Sequence, residues 1–197
     1  MSDAPSTQSA PYLFFKFTNP APSEPALPDG YQVRIWRPGW RSPPPTAIRD
    51  PVHWAWWLFH LLHLFTNRDF GVVLIEQEGV LVHRSGVFPR YFRFPFMARA
   101  DLQIGGTWTK PDQRGRGLAG AAIATALARL HRPGRVFWYI VDDANVASIR
   151  VIQRRGFLLA GRGARLPRLG MGALSYYALT APTRATLEAR TAPRASP

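Results

Sequence analysis

Residues 110–127 constrain the fold of this chain more than any other stretch. A run typical of a β-strand, Leu102–Thr109, leads into a turn, then a loop of alternating arginine and glycine, and then an alanine-rich segment with strong helix propensity. A strand, a glycine loop and a helix start in this order leave free backbone N–H groups at the helix N-terminus, where the helix dipole adds partial positive charge. The stretch therefore predicts a site for an anion.

The loop itself has the chemistry of a phosphate cradle. Gly115 and Gly117 let an anion approach the backbone closely, and Arg114 and Arg116 add full positive charges. We interpret the loop as a pyrophosphate cradle. An ordinary turn with surface arginines is the alternative, because a glycine loop alone is a weak signal.

Two ordered motifs resemble those of the GNAT acyltransferase superfamily. Arg114-x-x-Gly117-x-Ala119 is similar to the superfamily's Arg/Gln-x-x-Gly-x-Gly/Ala signature. Residues 145–157 open on an asparagine and end in Gly-Phe, and they resemble the superfamily's Asn-led helix at the usual distance downstream. The resemblance implies an α/β (α+β) GNAT fold, in which a mixed central β-sheet with splayed central strands is flanked by helices.

Composition limits the remaining possibilities. Hydrophobic residues make up 46% of the 197, which is enough for a real core and predicts one domain with tails. We expect a Pro-rich, partly disordered segment over residues 1–30, an acyltransferase domain over 31–180 and a polar tail over 181–197. Because the chain has no cysteine, disulfides, thiolate catalysis and Cys-type zinc sites are excluded.

The net charge of +13 suits anionic small molecules. Arginines are spread along the chain without a dense tract, and no nucleic-acid motif occurs, so nucleic acid is not an expected partner. The N-terminus lacks the basic and apolar regions of a secretory signal, and no apolar run reaches the ~20 residues of a membrane span. A cytoplasmic location is the expectation.

Residues 52–65 predict an apolar helix that follows an Asp-Pro start signal. A helix that is apolar nearly all round is usually buried, so core packing is the favoured interpretation. Three other roles of this helix are alternatives: it lines the acceptor site, docks a second subunit in a homodimer, or touches a membrane surface. Three histidines of this segment lack the further ligand that completes a metal set, so no metal is expected: His53, His60 and His63.

Other segments predict a sheet with exposed connections. Residues 70–76 and 79–84 predict a hairpin, and residues 88–97, where rings alternate with arginines between prolines, predict a loop. Its rings either fold onto the core, which we favour, or face a substrate. Residues 161–170 predict a basic loop between two closing strands. Further strands are predicted over residues 12–18, 31–37, 101–109 and 135–141.

The resemblance implies a cleft between residues 102–109 and 135–141 that holds the pantetheine arm of coenzyme A. Paired glycines within the first of these strands predict a bulge, which leaves an unpaired N–H for the thioester carbonyl. Asn145 is expected to touch the donor arm, to cap its helix, or both. The implied cofactor-binding residues are Thr107, Trp108, Thr109, Arg114, Gly115, Arg116, Gly117, Leu118, Ala119, Asn145 and Ser148.

The chain departs from the superfamily at the usual acid. Many members have a tyrosine seven residues after the asparagine, to protonate the leaving thiolate, but this chain has Ile152. Tyr176 or Tyr177 on the last strand, or water, can substitute. Three side chains on strands near the expected cleft are candidates for the general base: Asp101, Gln103 and His83.

The implied function is transfer of an acetyl group from acetyl-CoA to an amine. Residues 88–109 resemble GNAT members of bacterial surface-polysaccharide biosynthesis, which points to a small, anionic amino sugar, free or nucleotide-linked, as the acceptor. A protein or peptide amine, an aminoglycoside-like amine and an amino acid are alternative acceptors. A catalytically silent, CoA-binding regulatory protein would be consistent with Ile152, and a nucleic-acid-binding protein is the third hypothesis.

The cradle can be tested by removing its charge and adding a carboxylate. Arg114→Ala combined with Gly117→Asp is expected to abolish acetyl-CoA binding measured by calorimetry, because the loop then repels the diphosphate. An unchanged affinity would refute the cradle.

Overall fold

A computed structural model describes residues 11–48 and 50–180. The predicted tail, residues 181–197, and the first ten residues of the predicted N-terminal segment lie outside this part. In chain order the elements are β1 (Tyr12–Phe17), β2 (Tyr31–Trp36), α1 (Val52–Leu61), β3 (Gly71–Gln77), β4 (Val80–Pro89), β5 (Leu102–Thr109), a 3-10 turn (Pro111–Gln113), α2 (Leu118–Leu130), β6 (Phe137–Asp142), α3 (Val146–Arg154), β7 (Leu158–Arg168) and β8 (Met171–Thr180).

The strands form one mixed sheet in the order β2-β3-β4-β5-β6-β1-β7-β8. Every neighbouring pair is antiparallel except β5 and β6, which are parallel. Helices α2 and α3 each follow one of the two parallel strands and cover one face of the sheet, while α1 packs on the other. This α+β arrangement confirms the predicted fold class.

The parallel strands separate soon after they meet. Only three residue pairs join them, from Leu102 with Phe137 to Ile104 with Tyr139. Beyond that point β5 stays with β4 as far as Thr109, and β6 stays with β1. The predicted splay is therefore present, and it opens toward the ends of the strands from which α2 and α3 begin.

A bulge in β5 lies at the point of separation. The pairing of β4 with β5 shifts between Arg84 and Gly86, so that Ser85 faces both Gly106 and Thr107. Gly106 has a φ of 60°, a left-handed conformation that glycine adopts without steric cost. The glycine pair in the sequence thus predicted this distortion correctly.

The first strand occupies a central position in the sheet. β1 pairs with β6 on one side and β7 on the other, and Phe14, Phe15 and Phe17 are buried. Because β1 precedes residue 31, the sheet includes residues before the predicted domain start. A six-residue strand in a Pro-rich stretch has no local signal for the neighbours that it will pair with.

The aromatic residues at the end of β4 and in the segment that leads to β5 pack onto the core. Phe88, Tyr91, Phe94 and Met97 are buried with α1 and the residues before β3 in a core on the α1 face. These rings therefore contribute to stability, as the favoured interpretation had it, and they do not form an open stacking surface.

Helix α1 is shorter and more exposed than predicted. It ends at Leu61, and of its side chains only those of His53 and His60 are buried, while Trp54 and Leu58 are 52% and 47% exposed. Core packing is confirmed for one side of α1, where Trp56, Trp57 and Phe59 pack against the core of this face. Burial all round is wrong, because the other side of the helix faces away from the sheet. Among the described residues, no helix has the length and apolar character needed to cross a membrane.

Residues 161–170 are not a loop. They belong to a long hairpin of β7 and β8, whose turn is formed by Leu169 and Gly170 with φ of 52° and 72°. The prediction failed because this stretch is rich in arginine and glycine, which have low strand propensity, and lacks the alternation of apolar and polar residues typical of a strand. Its strand character comes from pairing with β1 on one side and with the edge strand β8 on the other.

A cluster of charged side chains, with Asp69 and Arg135 buried at its centre, links the sheet to α2. Asp69 accepts hydrogen bonds from Arg135 at 2.6 Å, Arg132 at 3.0 Å and Arg37 at 3.4 Å. The buried Arg135 also donates to the carbonyls of Ala100 and Leu130. Burial alone would raise the pKa of Asp69, but the hydrogen bond and charge of Arg135, with the other two arginines, lower it.

Asp69→Ala is expected to lower the free energy of unfolding by about 3–5 kcal/mol in urea titrations, because Arg135 would remain buried and unpaired. The exposed pair of Arg34 and Glu76 gives a matched control, since Glu76→Gln should cost only about 0–1 kcal/mol. Because the pKa of Asp69 is lower in the folded state, its carboxylate stabilises the fold fully at a pH above the unfolded-state pKa. This stabilisation is lost as the pH falls through the folded-state pKa. Equal losses in the two variants would contradict this role.

Candidate active site

The glycine loop leads directly into α2. Gly117 has a φ of 77° and precedes the first helical residue, and no side chain caps the helix. A Cβ placed on Gly115 or Gly117 would meet no atom within 4 Å, so the loop borders open space. The amides of the first helical turn have no intrahelical acceptor and are available to an anion.

Three exposed arginines surround the first turn of α2. Arg114 donates to the Thr109 carbonyl at 3.4 Å, and Arg116 donates to the Tyr31 hydroxyl at 3.3 Å. Arg155, which follows α3, lies close against Gly120. A Cβ added to Gly120 would be only 2.9 Å from the Arg155 Nη2 atom. None of the three forms an ion pair within the described part of the chain.

Arg155 was not among the predicted site residues. Its position depends on the packing of α3 against α2, which brings its guanidinium over a glycine that leaves room for it. No spacing in the sequence indicates this contact.

Helix α3 begins at the same end of the cleft as α2. The Asn145 Oδ1 accepts a hydrogen bond from the Ser148 amide at 3.1 Å, which is an N-cap. Both α2 and α3 follow parallel strands, so both N-termini lie beyond the open ends of β5 and β6. The fold thus brings the predicted cofactor-binding residues to one end of the sheet: residues 107–109, 114–119, 145 and 148.

The predicted acids lie away from this opening. Ile152 is fully buried in the core under α3, so the position of the usual tyrosine holds an apolar side chain. Tyr177 stacks on Phe94 and contacts Tyr12 edge-on, and burial, then Tyr12, raises its pKa. Both Tyr176 and Tyr177 lie on β8, which β1 and β7 separate from β6.

Two of the base candidates lie where β5 and β6 are still paired. Asp101 accepts from the amides of Ala98 and Val136 and from the Trp138 indole, at 2.9, 3.2 and 3.0 Å. Gln103 is buried and donates to the neighbouring Ile104 carbonyl at 2.8 Å. The Asp101 bonds fasten the closed end of the cleft, because they join the start of β5 to residues in and next to β6. The Gln103 bond stays within β5, and its amide nitrogen lies beside Gly105.

His83 differs from the other candidates because its bonds lead toward the opening. Its Nδ1 lies 2.7 Å from the Thr109 hydroxyl and its Nε2 lies 3.0 Å from the Ser85 hydroxyl. Ser85 in turn contacts the Thr107 hydroxyl at 3.1 Å, opposite the bulge. Burial, with the nearby charge of Arg84, lowers the pKa of His83 to about 4, so the ring is neutral.

A cleft of about 880 Å³ lies on the α1 face of the sheet. Its wall contains an indole ring, three charged side chains and smaller groups. The residues include Trp108, the charged Asp50, Arg84 and Lys110, and Thr46 and Leu81. Trp108 and Arg84 are cross-strand partners on β5 and β4. The cleft therefore shares residue 108 with the predicted pantetheine strand.

Arg84 is held in place by residues at the start of α1. It donates to the Asp50 carboxylate at 3.2 Å and to His53 Nε2 at 2.9 Å. A guanidinium only donates, so His53 Nε2 is the acceptor and Nδ1, 3.2 Å from the Asp50 carbonyl, carries the proton. Burial, then the Arg84 charge, lowers the pKa of His53 and keeps the ring neutral. A fixed cation therefore stands in the cleft wall.

The histidines of the α1 segment have different surroundings. His53 is engaged by Arg84, and His63 lies beyond the end of the helix. Among the described residues, no group of three or more histidine, aspartate or glutamate side chains is placed to hold a metal ion.

Comparison with known proteins agrees with this geometry. The profile of the Acetyltransferase (GNAT) family matches residues 31–157, so the chain belongs to that family. A mycothiol acetyltransferase from Thermobispora bispora is 32% identical over 156 residues, which cover 71% of this chain and 50% of the relative. The chain thus spans about half the length of that curated relative.

Solved structures share the fold. A GNAT-family protein from Novosphingobium aromaticivorans superposes with a TM-score of 0.56 at 22% identity, over 82% of this chain and 66% of that protein. A GCN5-related N-acetyltransferase from Sphaerobacter thermophilus has a TM-score of 0.56 at 20% identity, over 78% and 50% of the two chains.

The cap at Asn145 can be tested through the stability of the protein. Asn145→Ala is expected to lower the free energy of unfolding by about 1 kcal/mol, because the Ser148 amide loses its acceptor. Asn145→Asp retains an acceptor oxygen and is the matched control, expected to stay within a few tenths of a kcal/mol of wild type. Equal unfolding midpoints for all three proteins in urea would contradict the cap.

Proposed function

We propose that this chain is an acetyl-CoA-dependent N-acetyltransferase that acts on a small amine. Membership of the GNAT family supplies the reaction class, acetyl transfer. The single observation that carries the proposal is the position of a basic helix N-terminus at the open end of two diverging strands, beside a cleft of about 880 Å³.

The donor would be held by main-chain groups and arginines. Amides at residues 114–119 would bind the diphosphate of coenzyme A, helped by Arg114, Arg116 and Arg155. The pantetheine arm would lie along residues 107–109, where β5 has lost its parallel partner. An amide at the bulge would then donate to the thioester oxygen and stabilise the negative charge that develops there.

The acceptor would occupy the cleft on the α1 face. Arg84 is a fixed cation that suits a carboxylate or phosphate, and Trp108, 38% exposed, offers a face for a sugar ring. This combination supports an anionic amino sugar. A relative named as a mycothiol acetyltransferase also favours a small-molecule acceptor over a protein amine.

A catalytically silent CoA-binding protein is the second candidate. The observation that favours it is the buried Ile152 at the position of the usual acid. Release of free thiol from acetyl-CoA in the presence of an amine distinguishes the two, since a silent protein binds acetyl-CoA calorimetrically and releases none.

Arg84→Gln tests the acceptor site with two probes, glucosamine and glucosamine 6-phosphate. A hydrogen-bonded charge pair contributes about 1.5–3 kcal/mol, so kcat/KM for the phosphorylated sugar should fall roughly 10- to 100-fold. The value for glucosamine should change about twofold at most, because it lacks the anionic group.

Arg34→Gln is the matched control. Arg34 lies on the edge strand β2, where it pairs with Glu76 of β3. Similar losses for both sugars with Arg84→Gln would show that Arg84 does not recognise the anion.

A further inference from the structure

A chain of four polar side chains crosses from β5 to β4 and back. It runs from the Thr107 hydroxyl to Ser85 at 3.1 Å, from Ser85 to His83 Nε2 at 3.0 Å, and from His83 Nδ1 to Thr109 at 2.7 Å. Ser85 and His83 are completely buried, whereas Thr107 is exposed and Thr109 is partly exposed. The chain therefore joins two accessible ends through a buried interior.

Every group in this chain can donate and accept. A hydroxyl has one proton and two lone pairs, and a neutral imidazole has one protonated and one unprotonated nitrogen. Other buried polar side chains nearby differ, since Asp101 and Gln103 bond to the backbone or to an indole, and Thr125 has no partner. A continuous row of amphoteric groups can pass a proton in either direction.

The direction of the hydrogen bonds depends on the imidazole tautomer. When Nδ1 carries the proton it donates to Thr109, Ser85 donates to Nε2, and Thr107 donates to Ser85. When Nε2 carries the proton, all three hydrogen bonds reverse. Passage of one proton along the chain converts the first arrangement into the second.

We propose that Thr107, Ser85, His83 and Thr109 form a reversible proton relay that serves as base for the acceptor amine and as acid for the leaving thiolate. The proposal rests on the acetyltransferase function proposed above. The relay side chains lie on the α2 face, opposite Arg84 and Trp108, so the amine would reach Thr107 through the gap that opens beyond the last β5–β6 pair. Thr107 is the catalytic residue of the relay, since it would contact the reacting groups there, and the other three act through it.

The first half of the cycle removes a proton from the amine. The acceptor nitrogen bonds to the acetyl carbon, and its proton passes to the Thr107 oxygen as the Thr107 proton moves to Ser85. The Ser85 proton moves to His83 Nε2, the Nδ1 proton moves to Thr109, and Thr109 releases its proton to water. The chain then stands in its reversed arrangement.

The second half restores the chain and completes the products. The carbon–sulfur bond breaks with its electron pair on sulfur, and Thr107 gives its proton to the thiolate. The transfers then run backward, and Thr109 regains a proton from water. One proton leaves nitrogen and one joins sulfur, so the cycle balances without a tyrosine at residue 152.

The burial of His83 determines how the relay operates. A pKa of about 4 disfavours an imidazolium, so the ring must gain one proton as it loses the other and hold no charge in between. The same property prevents His83 from acting as a stationary base, which explains why two hydroxyl neighbours are needed on opposite sides of the ring.

Two variants interrupt the relay with little change in shape. Ser85→Ala removes the central hydroxyl, and His83→Gln keeps hydrogen-bonding capacity without a ring that can exchange protons. Both should lower kcat with glucosamine 6-phosphate by roughly 10²–10⁴-fold, the usual contribution of acid–base catalysis. The affinity for acetyl-CoA measured by calorimetry should stay within about threefold of wild type.

The solvent isotope effect separates a relay from a structural role. In mixtures of light and heavy water, kcat of the wild type should depend on deuterium content along a curve, because several protons move together. In the two variants the dependence should become linear. Thr125→Val is the matched control, since it removes a buried hydroxyl that has no partner and should leave kcat within about twofold of wild type.

Variants that bind acetyl-CoA and keep kcat within about threefold would overturn the relay while leaving the acetyltransferase proposal intact. Wild-type protein that binds acetyl-CoA but acetylates no amine would refute the proposed function and the relay with it.

Nitrogen NMR of the His83 ring tests the relay without turnover. One protonated nitrogen and one accepting nitrogen are expected at neutral pH, and a doubly protonated ring would overturn the relay.

Discussion

The separation of β5 from β6 is the constraint on which the rest of the structure depends. Three residue pairs hold the strands together, and Asp101 fastens the paired end through Val136 and Trp138. Beyond the pairs, β4 retains β5 and β1 retains β6. Main-chain groups that face the opening have no strand partner, and such groups require water or a ligand. An extended, amide-bearing arm meets that requirement.

Charge is distributed to suit the same opening. Both helices of the α2 face begin at its wide end, and three arginines without ion-pair partners among the described residues surround the start of α2. On the opposite face, Arg84 is fixed by neutral His53 and by Asp50. The two cationic regions lie on different faces of the sheet, with β5 between them. This arrangement suits the proposal that an anionic donor and an anionic acceptor bind at separate places.

Local conformations were predicted from the sequence more accurately than the packing was. The Gly115–Gly117 loop, the bulge at Gly106 and the cap at Asn145 each depend on a few consecutive residues with conformational or hydrogen-bonding preferences of their own. The exposure of α1 and the strand character of residues 161–170 were predicted wrongly, because both depend on how much of the sheet covers each element.

Long-range pairing explains what the sequence did not reveal. The position of β1 between β6 and β7, and the contact of Arg155 with Gly120, join residues whose separation carries no pattern. His83 was recognisable as a candidate, but its alignment with Thr109 depends on the register of β4 with β5, which the bulge shifts. A hydrogen-bonded row that crosses two strands is visible only after that register is known.

Backbone amide NMR of the labelled protein, titrated with coenzyme A, tests the central claim most directly. The account predicts that the largest shift changes fall on amides 115–119 and 107–109, because these groups exchange water for the diphosphate and the pantetheine arm. Changes confined to the Arg84 cleft, or the absence of change at both segments under saturating coenzyme A, would contradict it.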